Sequence, residues 1–143
     1  MPREPVVHAV DANVILRHVL GDDRELSAKA GAVFAAMEAG EVVLECDPVN
    51  LAEAVWVLAS HYKAERRDIA EALSPLLKAA NFRMPDKERY MLALDLYGQG
   101  LARFGDACAC ATALAACEGR LVSFDRKLSR LPGIRRTEKL GAS

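Results

Sequence analysis

The chain has 143 residues, 52% of them hydrophobic, which suits a single ordinary domain and excludes a disordered chain. Its 19 Lys and Arg against 20 Asp and Glu leave a net charge of −1, which argues neither for nor against a nucleic-acid partner. No apolar run approaches the roughly 20 residues of a membrane-spanning helix, and Met1–Pro5 leads straight into an apolar strand, so the expectation is a cytoplasmic protein without a secretory signal.

Val6–Val10 has the length of a buried strand and ends in Asp11. Asn13–Leu20 follows as a short helix closed by Gly21, and Asp22–Glu25 is a solvated link. Leu26, Ala30, Val33, Phe34 and Met37 recur with helical spacing and predict an amphipathic helix stopped near Gly40. Val42–Leu44 is a second strand. Asp47-Pro48 then has the form of an N-cap followed by proline at the first helical position. The helix it opens contains LAEAVWVLA at Leu51–Ala59, where Glu53 is the one polar residue, so that helix is expected to be buried on every side. Asp68 and Asp86 are expected to cap two further helices, the first interrupted at Pro75. A short extended piece falls within Asn81–Pro85. Asp106–Cys117 is helical and ends at Gly119. Leu121–Phe124 is a third strand ending in Asp125. Arg126–Leu131 is a helical turn, and Ile134–Arg136 an edge strand. Strands alternating with helices imply a mainly parallel sheet covered on both faces.

Cys46, Cys108, Cys110 and Cys117 form no CxxC pair. Residues 108 and 110 diverge on a helix, so the cysteines are expected to be small buried hydrophobes rather than ligands or disulfides. His8, His18 and His61 make no ligand pair. Asp11, Asp106 and Asp125, taken singly, serve equally as helix caps or metal ligands. Glu53 is the discriminating residue, because a buried ionised carboxylate needs a partner or a metal. Asp11 and Asp125 end strands, and in a parallel sheet those ends share one edge; Asp106 begins the helix leading to the second of them. Carboxylates gathered there would repel unless a divalent cation, Mg²⁺ or Mn²⁺ by all-oxygen ligation, lay between them.

DANVILR at Asp11–Arg17, LAEAVWVL at Leu51–Leu58, FGDACACATA at Phe104–Ala113 and SFDRKL at Ser123–Leu128 together resemble the PIN domain, and more narrowly the VapC-type toxins of toxin–antitoxin pairs. The resemblance implies one PIN-like nuclease domain over residues 1–143, a three-layer α/β/α Rossmann-like sandwich with a mainly parallel central sheet. It implies a Mg²⁺- or Mn²⁺-dependent endoribonuclease in which Asp11, Glu53, Asp106 and Asp125 are the metal-holding catalytic acids. Asn13 supports the first, and Ser123 stands where many relatives carry Thr. The implied partners are structured RNA such as tRNA or rRNA, a small antitoxin that covers the acidic groove, and a second copy in a homodimer. The alternatives are a housekeeping PIN nuclease without antitoxin, a metal-dependent phosphatase, and a non-enzymatic module whose acids are only caps. Asn13 argues against the dehalogenase-like phosphatases, which need a second Asp there. Basic residues after Asp125, namely Arg126, Lys127, Arg130, Arg135, Arg136 and Lys139, offer a path for RNA, with Arg17, Lys63, Arg66 and Arg67 as further flanks.

Overall fold

Val6–Ala9 (β1), Val42–Glu45 (β2) and Phe82–Arg83 (β3) form a parallel sheet in the order β1-β2-β3. Val7 lies opposite Val43, and Leu44 faces His8 on one side and Phe82 on the other. Arg120–Val122 (β4) and Arg135–Thr137 (β5) pair in parallel as a second, two-stranded sheet. The structure is a computed structural model that describes residues 4–100 and 102–141; Met1–Arg3, at the start of the expected run into the first strand, lie outside that range.

Parallel neighbours cannot be joined by a tight hairpin, so helices carry the chain between the paired strands of the first sheet. The six helices are Ala12–Leu20 (α1), Arg24–Glu38 (α2), Pro48–Ser60 (α3), Arg66–Lys78 (α4), Lys87–Gly98 (α5) and Phe104–Ala116 (α6), followed by a 3-10 turn at Arg126–Arg130. Parallel strands and helices around a common core make this the expected α/β, three-layer α/β/α fold. Ile15, Phe34, Met37, Leu51, Leu73, Phe82 and Leu94, drawn from five helices and β3, are among the fully buried side chains of one continuous apolar cluster. Cys46 and Cys110 are buried members of it, as expected of small hydrophobes, while Cys108 and Cys117 are half-buried. Burial pushes the Cys46 thiol up to about 12.

Local chemistry explains most helix ends. Asp11, Asp23 and Asp47 each accept a backbone N–H three residues on, from Val14, Leu26 and Asn50 respectively. Gly21 closes α1 in the left-handed conformation, its N–H returning to the Arg17 carbonyl. Lys87, inside α5, donates to the carbonyls of Ala79 and Phe82 at 2.8 and 2.5 Å and so ties the end of α4 to β3.

Five expectations are corrected. β1 is exposed along its length, with Val6 at 63% and Val7 at 43%, because it is an edge strand that pairs only with β2 among the described residues. α3 is not buried all round: Val49, Glu53 and Trp56 fall on one face at helical spacing, and all three are exposed. α4 runs through Pro75 without breaking, leaving the Glu71 carbonyl without its ladder donor. Asp68 lies in the first turn of α4, where Glu65 holds the cap position. Asp86 precedes α5 with φ +54° and makes no side-chain cap.

The β4–β5 pair depends on a close backbone approach. Gly119 has φ +83°, and a Cβ there would collide with the carbonyl oxygen of Gly133, while the Gly119 carbonyl accepts the Arg135 N–H at 2.7 Å. Gly119→Ala is therefore expected to lower the unfolding free energy by about 1–3 kcal/mol through strain and lost pairing. Urea denaturation followed by circular dichroism measures this, and an unchanged midpoint would show that the two strands can part at no cost.

Candidate metal centre

Of the four candidate acids, Asp11 and Asp125 stand where a strand hands over to a helix or turn, and Glu53 and Asp106 lie within helices. Asp11 follows β1 and is the N-cap of α1, its Oδ1 accepting the Val14 N–H at 3.1 Å. Asp125 follows β4 and caps the 3-10 turn, its Oδ1 accepting the Lys127 N–H at 3.0 Å. Ser123 braces it: the Ser123 hydroxyl accepts the Asp125 N–H at 3.1 Å. Asp106 lies half-buried in the first turn of α6, not at its cap, since that helix starts at Phe104 after Arg103. Glu53 is exposed on α3. The burial that singled it out in the sequence is absent, because its apolar neighbours Val49 and Trp56 share the open face. Asn13 is exposed in the first turn of α1.

None of the four carboxylates forms an ion pair among the described residues, so each is free to take a cation. Asp106 and Asp125 share a neighbourhood: the Cys110 thiol, pushed up by its burial, is pushed further by the negative charge of both. No three His, Cys, Asp or Glu residues gather in a metal-holding arrangement among the described residues. The expectation that Asp11 and Asp125 share one sheet edge fails because β1 and β4 belong to separate sheets. The donor chemistry, carboxylate oxygen throughout, is that of a hard divalent ion.

One contributor at the Asp11 end escaped the sequence reading. The side-chain carbonyl of Asn50 accepts the Ala12 N–H at 2.9 Å, and its amide donates to Asp47 Oδ2 at 2.9 Å. The Asn50 backbone N–H also donates to Asp47 Oδ1 at 2.9 Å. These two bonds hold the Asp47 carboxyl below the usual carboxylate range. Asn50 thus joins the start of α1 to the start of α3 and fixes the turn that carries Asp11. The signal was the placement of Asn three residues after the cap, where a capping-box side chain reaches back. His8, Asp11, Glu45, Asp47 and Asn50 together line a cavity of about 770 Å³ beside β1 and β2.

A second cavity, of about 720 Å³, runs between α3, α5 and α6, lined by Val49, Trp56, Tyr90, Tyr97 and Phe104 and flanked by Arg66 and Arg103. The Arg66 guanidinium lies 5.5 Å from the centre of the Tyr97 ring and donates to the Gly100 carbonyl. No helix of the described residues is long and apolar enough to cross a membrane.

The PIN domain family profile matches residues 9–134, a span that takes in all four acids. No curated protein matches the chain.

Removing Asn50 strips the partner from the buried Ala12 N–H. Asn50→Ala is expected to cost about 1–3 kcal/mol of stability. It also removes the side-chain bond to Asp47 while the backbone one remains, so the Asp47 carboxyl rises part of the way toward its ordinary range, and the stability it adds above its unfolded-state value, lost as pH falls through the depressed one, becomes smaller. Denaturant titrations across the acid range, with carboxyl NMR of Asp47, measure both effects; unchanged values would show that Asn50 only decorates the surface.

Proposed function

The chain belongs to the PIN domain family, and from that premise we propose that it is a single-domain, Mg²⁺- or Mn²⁺-dependent endoribonuclease. PIN domains are in general nucleases built to work with divalent metals, which makes a nucleic acid the substrate class. The observation that carries the finer reading is the shared placement of Asp106 and Asp125 beside Cys110, within the matched span. In this reading those two hold the cation, and Asp11 and Glu53 are the remaining acids of the set. Glu53 enters by resemblance alone. Asn13 and Ser123 support Asp11 and Asp125.

A bound divalent ion supplies a water of lowered pKa and stabilises charge on the phosphate. The chain's own residues do the rest. Asp125 is held at one geometry by Ser123 and by its bond to the Lys127 N–H. A carboxylate of the set not engaged with the ion accepts the proton released by the attacking water. Arg126, Lys127 and Arg130, exposed beside Asp125, draw the phosphate backbone toward it.

We further propose the VapC-type role: a cytoplasmic toxin, homodimeric, acting on structured RNA such as tRNA or rRNA and restrained by a small antitoxin. The apolar groove beside the exposed Trp56, with arginines at its flanks, supports a protein partner of this kind.

Purified protein with Mn²⁺ is expected to cleave labelled structured RNA and not p-nitrophenyl phosphate. Asp106→Asn or Asp125→Asn should reduce cleavage by about 100-fold or more and weaken Mn²⁺ binding in calorimetric titration. Cleavage that survives EDTA, or Mn²⁺ binding undiminished in both variants, removes the acids from the site. Growth arrest on expression, relieved by Asp11→Asn, tests the toxin role; Asn is chosen because it keeps the helix cap that Ala would lose.

A further inference from the structure

We propose that Phe124 is a stacking platform for an unpaired nucleobase next to the phosphate under attack. The inference rests on the nuclease reading and adds to it the residue that reads that base.

Phe124 is 81% exposed, the most exposed of the large hydrophobic side chains among the described residues. Its exposure is built in. Beyond β4 the alternation continues, with Leu121 and Ser123 half-buried and Val122 and Phe124 facing out. The residues on either side of the ring are fastened. The Ser123 N–H donates to the Thr137 carbonyl at 3.0 Å, and the Ser123 carbonyl accepts Arg136 Nη1 at 2.8 Å. The Asp125 N–H is held by the Ser123 hydroxyl, and the Asp125 carbonyl accepts the Leu128 N–H at 3.2 Å. Leu128 and Leu131 anchor the following turn in the core. A backbone so pinned fixes the point and direction from which the ring leaves the chain.

The charges around it are sorted. Arg120 and Arg135 pair with Glu118, and Arg136 pairs with Glu138 and donates to Ser129. Arg126, Lys127 and Arg130 have no side-chain partner among the described residues and are all exposed. Three unspent cations within six residues of an exposed aromatic ring suit a polyanion whose bases have flat faces. A second copy of this chain suits the patch poorly, because a two-fold interface here would set the same cations against one another. A duplex hides its base faces in the stack, whereas a loop or single strand offers them to the ring.

The test compares wild type, Phe124→Ala, Phe124→Leu and Phe124→Trp on one labelled unpaired oligoribonucleotide, alone and annealed to its complement. Binding is read by fluorescence anisotropy in EDTA, cleavage with Mn²⁺, and mass by light scattering. Phe124→Ala should weaken single-strand binding roughly 5- to 150-fold, the worth of one stacked base. It should leave duplex binding near the wild-type value, and Phe124→Trp should restore what is lost. Single-strand affinity unchanged in Phe124→Ala, or fully kept by Phe124→Leu, overturns the proposal. A fall in mass without a change in RNA affinity also overturns it, marking the patch as an interface between copies. Failure of the two readings can be told apart. Metal-dependent cleavage that ignores Phe124 sinks the platform and leaves the nuclease; Phe124-dependent binding without cleavage by wild type does the reverse.

Discussion

Parallel pairing is the constraint on which the rest of the molecule depends. Every strand pair here is parallel, so strands within a sheet end at the same edge. Helices begin where strands end, and their first N–H groups need acceptors. Aspartate meets that need after β1, β2 and β4, through Asp11, Asp47 and Asp125. Carboxylates therefore gather at strand ends first as caps. In the proposed reading, ligation of a cation would be superposed on side chains whose positions the backbone had already required, and the cap bond leaves lone pairs on each capping carboxylate for a second task.

Asn50 carries that logic between elements. One side chain serves the first N–H of α1 and the carboxylate that caps α3. Without it, β1 and β2 would still pair, but the turn bearing Asp11 would have no bond to its neighbour helix. The arrangement of the acids follows the sheets in the same way. α6 packs beside β4, and the charges of Asp106 and Asp125 both reach Cys110, whereas Asp11 sits at the end of the other sheet.

Local signals were legible in the sequence wherever a residue acts on its own neighbourhood. Asp47-Pro48 announced the start of α3, Gly21 the end of α1, and the spacing of Ala30, Phe34 and Met37 the buried face of α2. The α/β class followed from the alternation of elements. What the sequence hid is tertiary. Glu53 looked buried because eight apolar residues surround it in the chain, yet α3 turns one face outward and carries Val49 and Trp56 with it. Periodicity reports the amphipathic character of a helix, and a helix rich in apolar residues on all sides gives no sign of which face a partner or solvent will receive. The same limit applies to β1, whose valines read as buried while its place at the sheet edge exposes them. The acids at strand ends were legible one by one; their distribution over two sheets was not.

The division into two sheets also bears on how the protein breathes. The ladder of β4 and β5 is short and closed by the Gly119 contact, while the ladder around β2 is braced by the larger apolar cluster. Two ladders of unequal support open with unequal free energies, so amide exchange in the smaller one need not await global unfolding. Asp125 stands at the end of that smaller ladder. An ion held there would bind the closed form alone, and by mass action would raise the protection of precisely those strands the fold itself secures least.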